Sequence, residues 1–472
     1  MKKKSTVLAA LMAAWIVSPV WGNTSTDAYG FQPLAFLDDP APGTGNVRFT
    51  FDFEPGSLNN RGELAFGADL SSSGEGVFLH RAGKLSALAR TGDSTPDGKV
   101  YGPAFLGNIS LNDSGNGAFV FLRQDGIDSS ALGEDAGLYR FSSNGMVSPL
   151  LLPGNDAPGG GQFHGFGFRP VINNPGTIAF VGMVPANIGP GASIRLGMGA
   201  FLVDRHGNVS KIVRPGDPAP GGNTFDWAQN PWGNAQGDVA FGGHVQEKEC
   251  IKFTASFPAL GGQIFCAESV YFRSARTGKI RVIAEQGGLA PGGGVFTYAF
   301  GPIVNNRGDI AYVGAFPASP PGSGIDPSGN NDNVTGIFLH SQGRNIAIAR
   351  PGDSMPGGGH LVTAAFVTTD LWMNNAGVIS FSATLDSDDN GDKLKDTGLY
   401  VWRNGKLKVV ACTGTVIPGL GTIRSLHSPG ELGPKQLYPI SGASLNDRGQ
   451  IAFQATLEDG RGVMLMATPN DD

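Results

Sequence analysis

Apolar residues in this chain come in short runs rich in Val, Ile, Phe, Tyr and Ala, each bounded by Gly, Asn, Asp or Pro. That pattern predicts strands separated by turns. No segment after the N-terminus sustains a 3.6-residue apolar period, so almost no helix is expected. The runs also recur in a fixed order. One eight-residue phrase, polar at its start and apolar at its end, occurs seven times: NNRGELAF (59–66), NDSGNGAF (112–119), NNPGTIAF (173–180), NAQGDVAF (234–241), NNRGDIAY (305–312), NNAGVISF (374–381) and NDRGQIAF (446–453). Its glycines are spaced by 53, 61, 61, 71, 69 and 72 residues. A period of that size signals a repeat architecture.

Each repeat carries three further elements. A small residue, an apolar residue and an aromatic or other bulky side chain follow the phrase, as in GVFL (76–79) and GLYV (398–401). A polar turn and a short apolar run come next, as in RAGKLSALAR (81–90). Pro/Gly punctuation ends the unit, as in RPGDPAPGG (214–222) and RPGDSMPGG (350–358). Each unit therefore holds four strands, with Asn-x-x-Gly as the first tight turn, because Asn and Gly tolerate positive φ. Seven four-stranded units predict an all-β fold, a seven-bladed β-propeller. A string of independent domains would need a core in every ~60-residue unit, which is marginal. The last unit stops after its third strand at Gly462–Ala467, while an orphan fourth strand precedes the first unit at Phe31–Phe36. The N-terminal strand is thus expected to complete the last blade and close the ring, leaving no open edge. The expected organisation is a leader over 1–22 and one propeller over 23–472.

Composition narrows the function classes. Gly and Pro number 73 and 32, yet they fall at periodic turns, which argues against disorder. Net charge is −6, charged residues are 16% and no basic block occurs, so nucleic acid is not an expected partner. Lys2–Lys4, the apolar Val7–Val20 and the small-residue end at Gly22 read as a secretory signal. The expected location is periplasmic or extracellular, without a membrane anchor, as a monomer. Of three cysteines, Cys250 and Cys266 flank an insertion in the fourth unit. An oxidising compartment suggests a disulfide between them; zinc with His244 is the alternative. Cys412 reads as a buried free thiol.

Sequence variation points to one face. The Asn-x-x-Gly and Gly-Lys turns share a face and are short. The punctuation and the loop after the second strand share the other, and that loop runs from 9 residues in the first unit (67–75) to 27 in the fourth (242–268). Function on a rigid scaffold concentrates in such loops; drifted insertions without function are the alternative. Polar and aromatic residues near the first strands supply ligand-binding candidates: Arg48, His164, Arg169, Asp226, Trp227, Tyr298 and His360. His427, Lys435 and Tyr438 lie in the insertion before the last phrase. His164, Arg169 and Tyr298 are candidate catalytic residues for proton abstraction beside a carboxylate, with Arg neutralising the acid group and His and Tyr as base and acid. The same side chains would equally hydrogen-bond a sugar. In DSDDNGDKLKD (386–396), Asp386, Asp388 and Asn390 alternate before Gly391, with Asp392 and Asp396 beyond, a pattern suited to Ca²⁺ or to a solvated acidic loop. Thr397 stands where an EF-hand has its Glu. The repeated Arg-x-Gly-Asp reads as an Asp-stabilised turn before Pro.

The seven phrases resemble the tandem-repeat family of exported bacterial proteins named for its N-x-x-G-x-x-A-F signature, over residues 31–467. The resemblance implies a propeller and an exported location, and no activity. The outline is also similar to ulvan lyases, exported seven-bladed propellers that use His, Tyr and Arg in a groove; His164, Arg169 and Tyr298 would play those parts. Two functions are therefore expected: binding of a polysaccharide or other extracellular ligand on the loop-rich face, or a lyase acting on a uronic-acid glycan.

Overall fold

The structure is a computed structural model that describes residues 28–470 except 44, 73, 106–108, 125–134, 168, 187–195, 247–252, 255–263, 266–267, 320–332, 366–369, 393–394 and 427–442. Seven antiparallel sheets form a ring. Blade one is typical: Phe49–Leu58 innermost, then Leu64–Leu70, Gly74–Arg81 and Lys84–Arg90 at the rim. The innermost strands touch one another in sequence around the axis, and the last touches the first. Four of them are split in two, as in blade six, where Leu361–Ala364 and Leu371–Met373 both pair with Ile379–Leu385.

The N-terminal strand Tyr29–Phe36 pairs with Gly462–Pro469, in register Phe31↔Ala467 and Phe36↔Val463. The last blade is completed as the sequence predicts, and the third strand's edge is covered.

The aromatic that ends each phrase forms the core. Phe66, Phe119, Phe180, Phe241, Tyr312 and Phe381 stack on Phe78, Tyr139, Phe201, Tyr271, Phe338 and Tyr400, with ring centroids 5.5–5.7 Å apart. Such offset pairs contribute about 0.5–1.5 kcal/mol each beyond the area they bury. The third-strand glycine makes room for them: a Cβ on Gly76, Gly137, Gly199 or Gly398 would fall within 3 Å of the aromatic two residues on. Blade seven has Met464 in the third-strand position, and Phe31 from the closing strand meets Phe453 edge-on at 6.3 Å.

The phrase's first Asn does something other than adopt positive φ. Only its Gly is left-handed, between 77° and 91° in all seven phrases. The Asn Oδ1 accepts N–H groups two and four residues on, as Asn59 does from Arg61 and Glu63, both at 3.0 Å. Its Nδ2 crosses to the next blade. Asn59 donates to Asn112 O at 3.1 Å, Asn112 to Asn173 O at 3.2 Å, Asn173 to Asn234 O at 2.8 Å and Asn234 to Asn305 O at 3.0 Å. Asn374 donates to Asn446 O at 3.0 Å, and Asn446 returns to Asn59 O at 2.9 Å. The invariant Asn is thus a turn cap and an inter-blade tie at once.

Candidate functional site

The two ends of the ring present different chemistry. At the phrase end, a second ring surrounds the first. Each phrase's second residue accepts the corresponding backbone N–H of the preceding blade: Asn60 N–H to Asp113 (2.8 Å), Asp113 to Asn174 (3.0 Å), Ala235 to Asn306 (2.8 Å), Asn306 to Asn375 (3.1 Å), Asn375 to Asp447 (2.7 Å) and Asp447 to Asn60 (2.8 Å). Ala235 carries only a methyl group and cannot accept from Asn174. These rings line an axial pocket of about 140 Å³, to which all seven phrases contribute.

Arg169 lines that pocket and is buried, 5% exposed. Its guanidinium carbon sits 5.0 Å from the Trp232 ring centroid and 5.4 Å from that of Trp372. The two indoles meet edge-to-face at 5.3 Å. Burial pushes the Arg169 pKa down to about 9, against the charge of Asp370, which raises it. Arg169 has φ +59°, and the equivalent place four residues before the phrase also has positive φ in blades four (Asn230) and five (Gly301). In blade four this is a β-bulge, with a register shift between Gln229 and Trp232; bulges re-aim side chains. At two residues before the phrase, Ser57, Ser110 and Ser444 keep the inner strands of blades one, two and seven close: Ser444 Oγ accepts Leu58 N–H at 2.7 Å, and Ser110 Oγ accepts Ile172 N–H at 2.7 Å. Blades four and six carry Trp232 and Trp372 at that position, so bulk fills the axis from one side.

The loop-rich end holds a wider groove of about 630 Å³ between blades five and six. Phe316 and Pro317 form an apolar wall; Arg350, Lys395, His360 and Asp386 supply the charges. The Arg350 guanidinium lies 5.4 Å over the Phe316 ring, and its Nη2 donates to Gly293 O at 2.7 Å. His360 Nδ1 is 3.1 Å from Asp386 Oδ2, and the His360 N–H donates to Asp386 Oδ1 at 2.6 Å. These hydrogen bonds hold the Asp386 carboxyl below the usual carboxylate range.

The remaining sequence candidates are dispersed. His164 is exposed where blade three begins, its N–H donating to Met183 O at 2.9 Å. Tyr298 is buried, packed beside Phe300 at 5.6 Å in the core of blades five and six. His164, Arg169 and Tyr298 therefore occupy three settings: an exposed position just before an inner strand, the axial pocket and the blade core. Arg48 is exposed and donates to the Asp38 carbonyl. Trp227 is buried, stacked on His244 at 6.1 Å, and His244 Nδ1 is 3.5 Å from Asp226 Oδ2. In the acidic loop, Asp392 pairs with Arg424 at 3.0 Å and Asp386 with His360. Asp396 accepts Asp389 N–H at 3.0 Å, and burial raises its pKa. Asp388 and Asn390 are exposed, and Asn390 accepts Asp392 N–H at 3.1 Å. Among the described residues no group of three or more His, Cys, Asp or Glu is placed to hold a metal ion. His427, Lys435, Tyr438, Cys250 and Cys266 lie outside the described residues; Cys412 is free and buried.

Sequence reasoning took Arg350 for a turn residue. Its Asp does hold the turn, Asp353 Oδ2 accepting Arg350 N–H at 2.8 Å, but its side chain reaches the groove. Lys395, Phe316, Trp232 and Trp372 were not singled out. The change from Ser or an aliphatic residue to Trp two places before the phrase was the available signal for the last two. Buried Glu268 was also missed: it bonds Gln229 Nε2, and burial raises its pKa to about 8.

Residues 18–257 and 270–468 match a family of unknown function (DUF7453), and the chain belongs to that family. No curated protein matches it in sequence. Among solved structures it is similar to a puromycin-hydrolysing peptidase of Mycobacterium tuberculosis, at 11% identity and TM-score 0.47, covering 90% of this chain and 52% of that one. It spans about half the length of that relative. A polysaccharide lyase, an ulvan lyase, matches at 11% identity and TM-score 0.41 over 93% of both chains. PorZ, a surface component of the type-IX secretion system of Porphyromonas gingivalis, matches at 14% identity and TM-score 0.46, over 91% of this chain and 47% of its own.

Proposed function

We propose that this member of the DUF7453 family is an exported ligand-binding propeller that holds an acidic polysaccharide in the groove between blades five and six. The groove carries the reading. Its volume of about 630 Å³ falls in the ~300–1,000 Å³ range of pockets that enclose small ligands, whereas the axial pocket is well below it. Arg350 and Lys395 offer charge to a carboxylate or sulfate, and Phe316 and Pro317 offer an apolar wall to a ring face. The leader sequence supports an extracellular or periplasmic ligand.

The His360–Asp386 pair supports a second reading, a polysaccharide lyase. A carboxylate on Nδ1 orients the imidazole and leaves Nε2 as a base. In that reaction Nε2 removes the proton beside the uronate carboxylate, the electron pair forms the new double bond, and the glycosidic oxygen leaves with a proton from solvent.

One experiment separates the two. Purified protein is titrated with uronate, sulfated and neutral oligosaccharides while the absorbance of an unsaturated uronate is followed. Binding of an acidic series that weakens in Lys395→Ala, with no absorbance change, is the expected result. Turnover lost in His360→Ala with binding kept would establish the lyase. Equal binding of neutral and acidic glycans, or none, would refute the groove assignment.

A further inference from the structure

We propose that a cleft at the phrase end, between blades two and three and away from the axis, docks an acidic segment of a partner protein, with Arg140 and Arg205 holding carboxylates around one bulky apolar side chain. The cleft has a volume of about 290 Å³. Leu150, Ile172 and Ile178 give it apolar surface, and Met146 stands 66% exposed beside them. Arg140 and Arg205 line it from the two sides of the junction, one from each blade.

The cleft opens where the repeat breaks. In every blade the phrase's seventh residue pairs with a third-strand residue, and six blades put an apolar side chain there: Leu79, Leu202, Phe272, Leu339, Val401 and Met466. Each packs on the core shared with the following blade. In blade two the partner of Ala118 is Arg140. An unpaired guanidinium is costly to bury in an apolar core, so Arg140 is exposed and the junction stays open. Blade two is otherwise well packed. Gly117 stands where the other phrases have Leu, Ile or Val, and Phe141 takes up the space: a Cβ on Gly117 would lie 2.2 Å from its ring. Phe119, Phe121 and Tyr139 are fully buried. The departure at Arg140 is therefore not a sign of a decayed repeat.

Charge defines the partner. Elsewhere at the phrase end arginines have carboxylates: Arg61 and Arg81 pair with Glu63, and Arg307 with Asp309. Among the described residues, Arg140 Nε donates to Ser148 Oγ at 3.2 Å and Arg205 Nε to the His206 ring at 3.0 Å, and neither arginine meets a carboxylate. Asp204 also lines the cleft, but its oxygens accept the His206 and Asn208 N–H groups and Asn208 Nδ2 of its own turn, at 2.8, 2.9 and 2.8 Å. Two unpaired cations on a chain of net charge −6 are complementary to an acidic partner. Met and Arg are enriched in protein interfaces, and Met adapts its shape to what it covers. Phe141, the aromatic that lines the cleft, is 2% exposed and offers a sugar no face to stack on. The apolar lining instead favours a buried hydrocarbon side chain.

The test is fluorescence anisotropy of the full-length protein with three labelled hexapeptides, alternating Asp with Leu, Asp with Ser, and Lys with Leu. The Asp–Leu peptide should bind, more weakly as salt rises from about 50 to 200 mM, and the other two should not. Arg140→Leu restores the residue type of the other blades, so it should keep or raise Tm while weakening binding at least about tenfold. Arg205→Ser, in an exposed turn, should weaken binding about three- to tenfold at unchanged Tm. No binding of the Asp–Leu peptide, equal binding of either other peptide, or binding that survives Arg140→Leu would overturn the proposal. A dimer in sedimentation that is lost in Arg140→Leu would assign the cleft to a second copy of this chain and overturn it as well. Glycan binding in the groove between blades five and six is unaffected by any of these results.

Discussion

At the phrase end of the propeller the same turn recurs in all seven blades, while at the loop end loop length and side chains vary from blade to blade. The first end is tied by an Asn that recurs in every repeat and bonds the next blade's Asn carbonyl at six junctions, from Asn59 to Asn112 and from Asn446 to Asn59 among them. The second end mixes one recurring tie, the punctuation Arg of three blades (Arg90, Arg214 and Arg350) reaching a carbonyl of the preceding blade's punctuation, with ties particular to one junction. Arg214 donates to Pro158 O and Gly160 O at 3.0 and 2.7 Å, Thr335 bonds the Ala364 carbonyl, and Thr397 Oγ1 accepts Leu426 N–H at 2.8 Å. Closure is a job that seven identical turns can share. Recognition is not, and the wide groove lies where the repeat breaks down, between blades five and six.

Removing the closing strand would break the comparison outright. Deleting residues 23–43 strips Gly462–Pro469 of its partner and exposes an open edge. The truncated chain is expected to aggregate; a soluble truncation that melts like the full-length protein would contradict the closure. Next in size is Asn234→Ala. The side chain caps Gln236 and Asp238 N–H at 3.0 and 2.9 Å and reaches Asn305 O at 3.0 Å. Losing a cap and a buried tie should cost about 2–4 kcal/mol by denaturant unfolding.

Glu268 tests how the irregular end is packed. Its carboxyl is buried beside Gln229, between the inner strands of blades four and five, and its pKa is raised to about 8. Folded protein therefore keeps the proton while the unfolded chain has lost it, so stability falls as pH rises from about 5 to 8 and levels off above. Glu268→Gln should flatten that slope and be more stable than wild type at pH 8 by about 2–4 kcal/mol. Equal pH slopes in the two proteins would show that the carboxyl is ionised in the fold. The smallest expected effect belongs to the acidic loop. Calcium there must draw Asp386 from His360 and Asp392 from Arg424, so chelator should shift Tm by less than about 1 °C.

The fold was legible because turns and aromatics repeat. Glycine marks the left-handed position of every phrase, and the phrase's last aromatic and the third-strand aromatic that stacks on it recur in six blades. The inter-blade role of Asn was not legible, since Asn in a turn has a sufficient local explanation. Phe51 shows a second limit. Phe49, Phe51 and Phe53 alternate as if all faced one core, but the register shifts between Thr50 and Phe53. Phe49 and Phe53 are fully buried and Phe51 is 52% exposed, at φ +47°. Bulges are invisible to a period-two pattern, and they also decide where Arg169 points. The groove was half legible: His360 and Asp386 were named for separate reasons, while the residues that complete it come from the neighbouring blade's wall and from a turn.

The division between a tying end and a recognising end is tested most directly by amide hydrogen exchange with and without a bound acidic oligosaccharide. Added protection should fall on Phe316–Pro317, Arg350–Gly352 and His360–Val362, the segments lining the groove. The Asn59–Asn60, Asn234–Ala235 and Asn446–Asp447 turns should be unchanged. Protection concentrated at those turns, or spread evenly over both ends, would contradict the account.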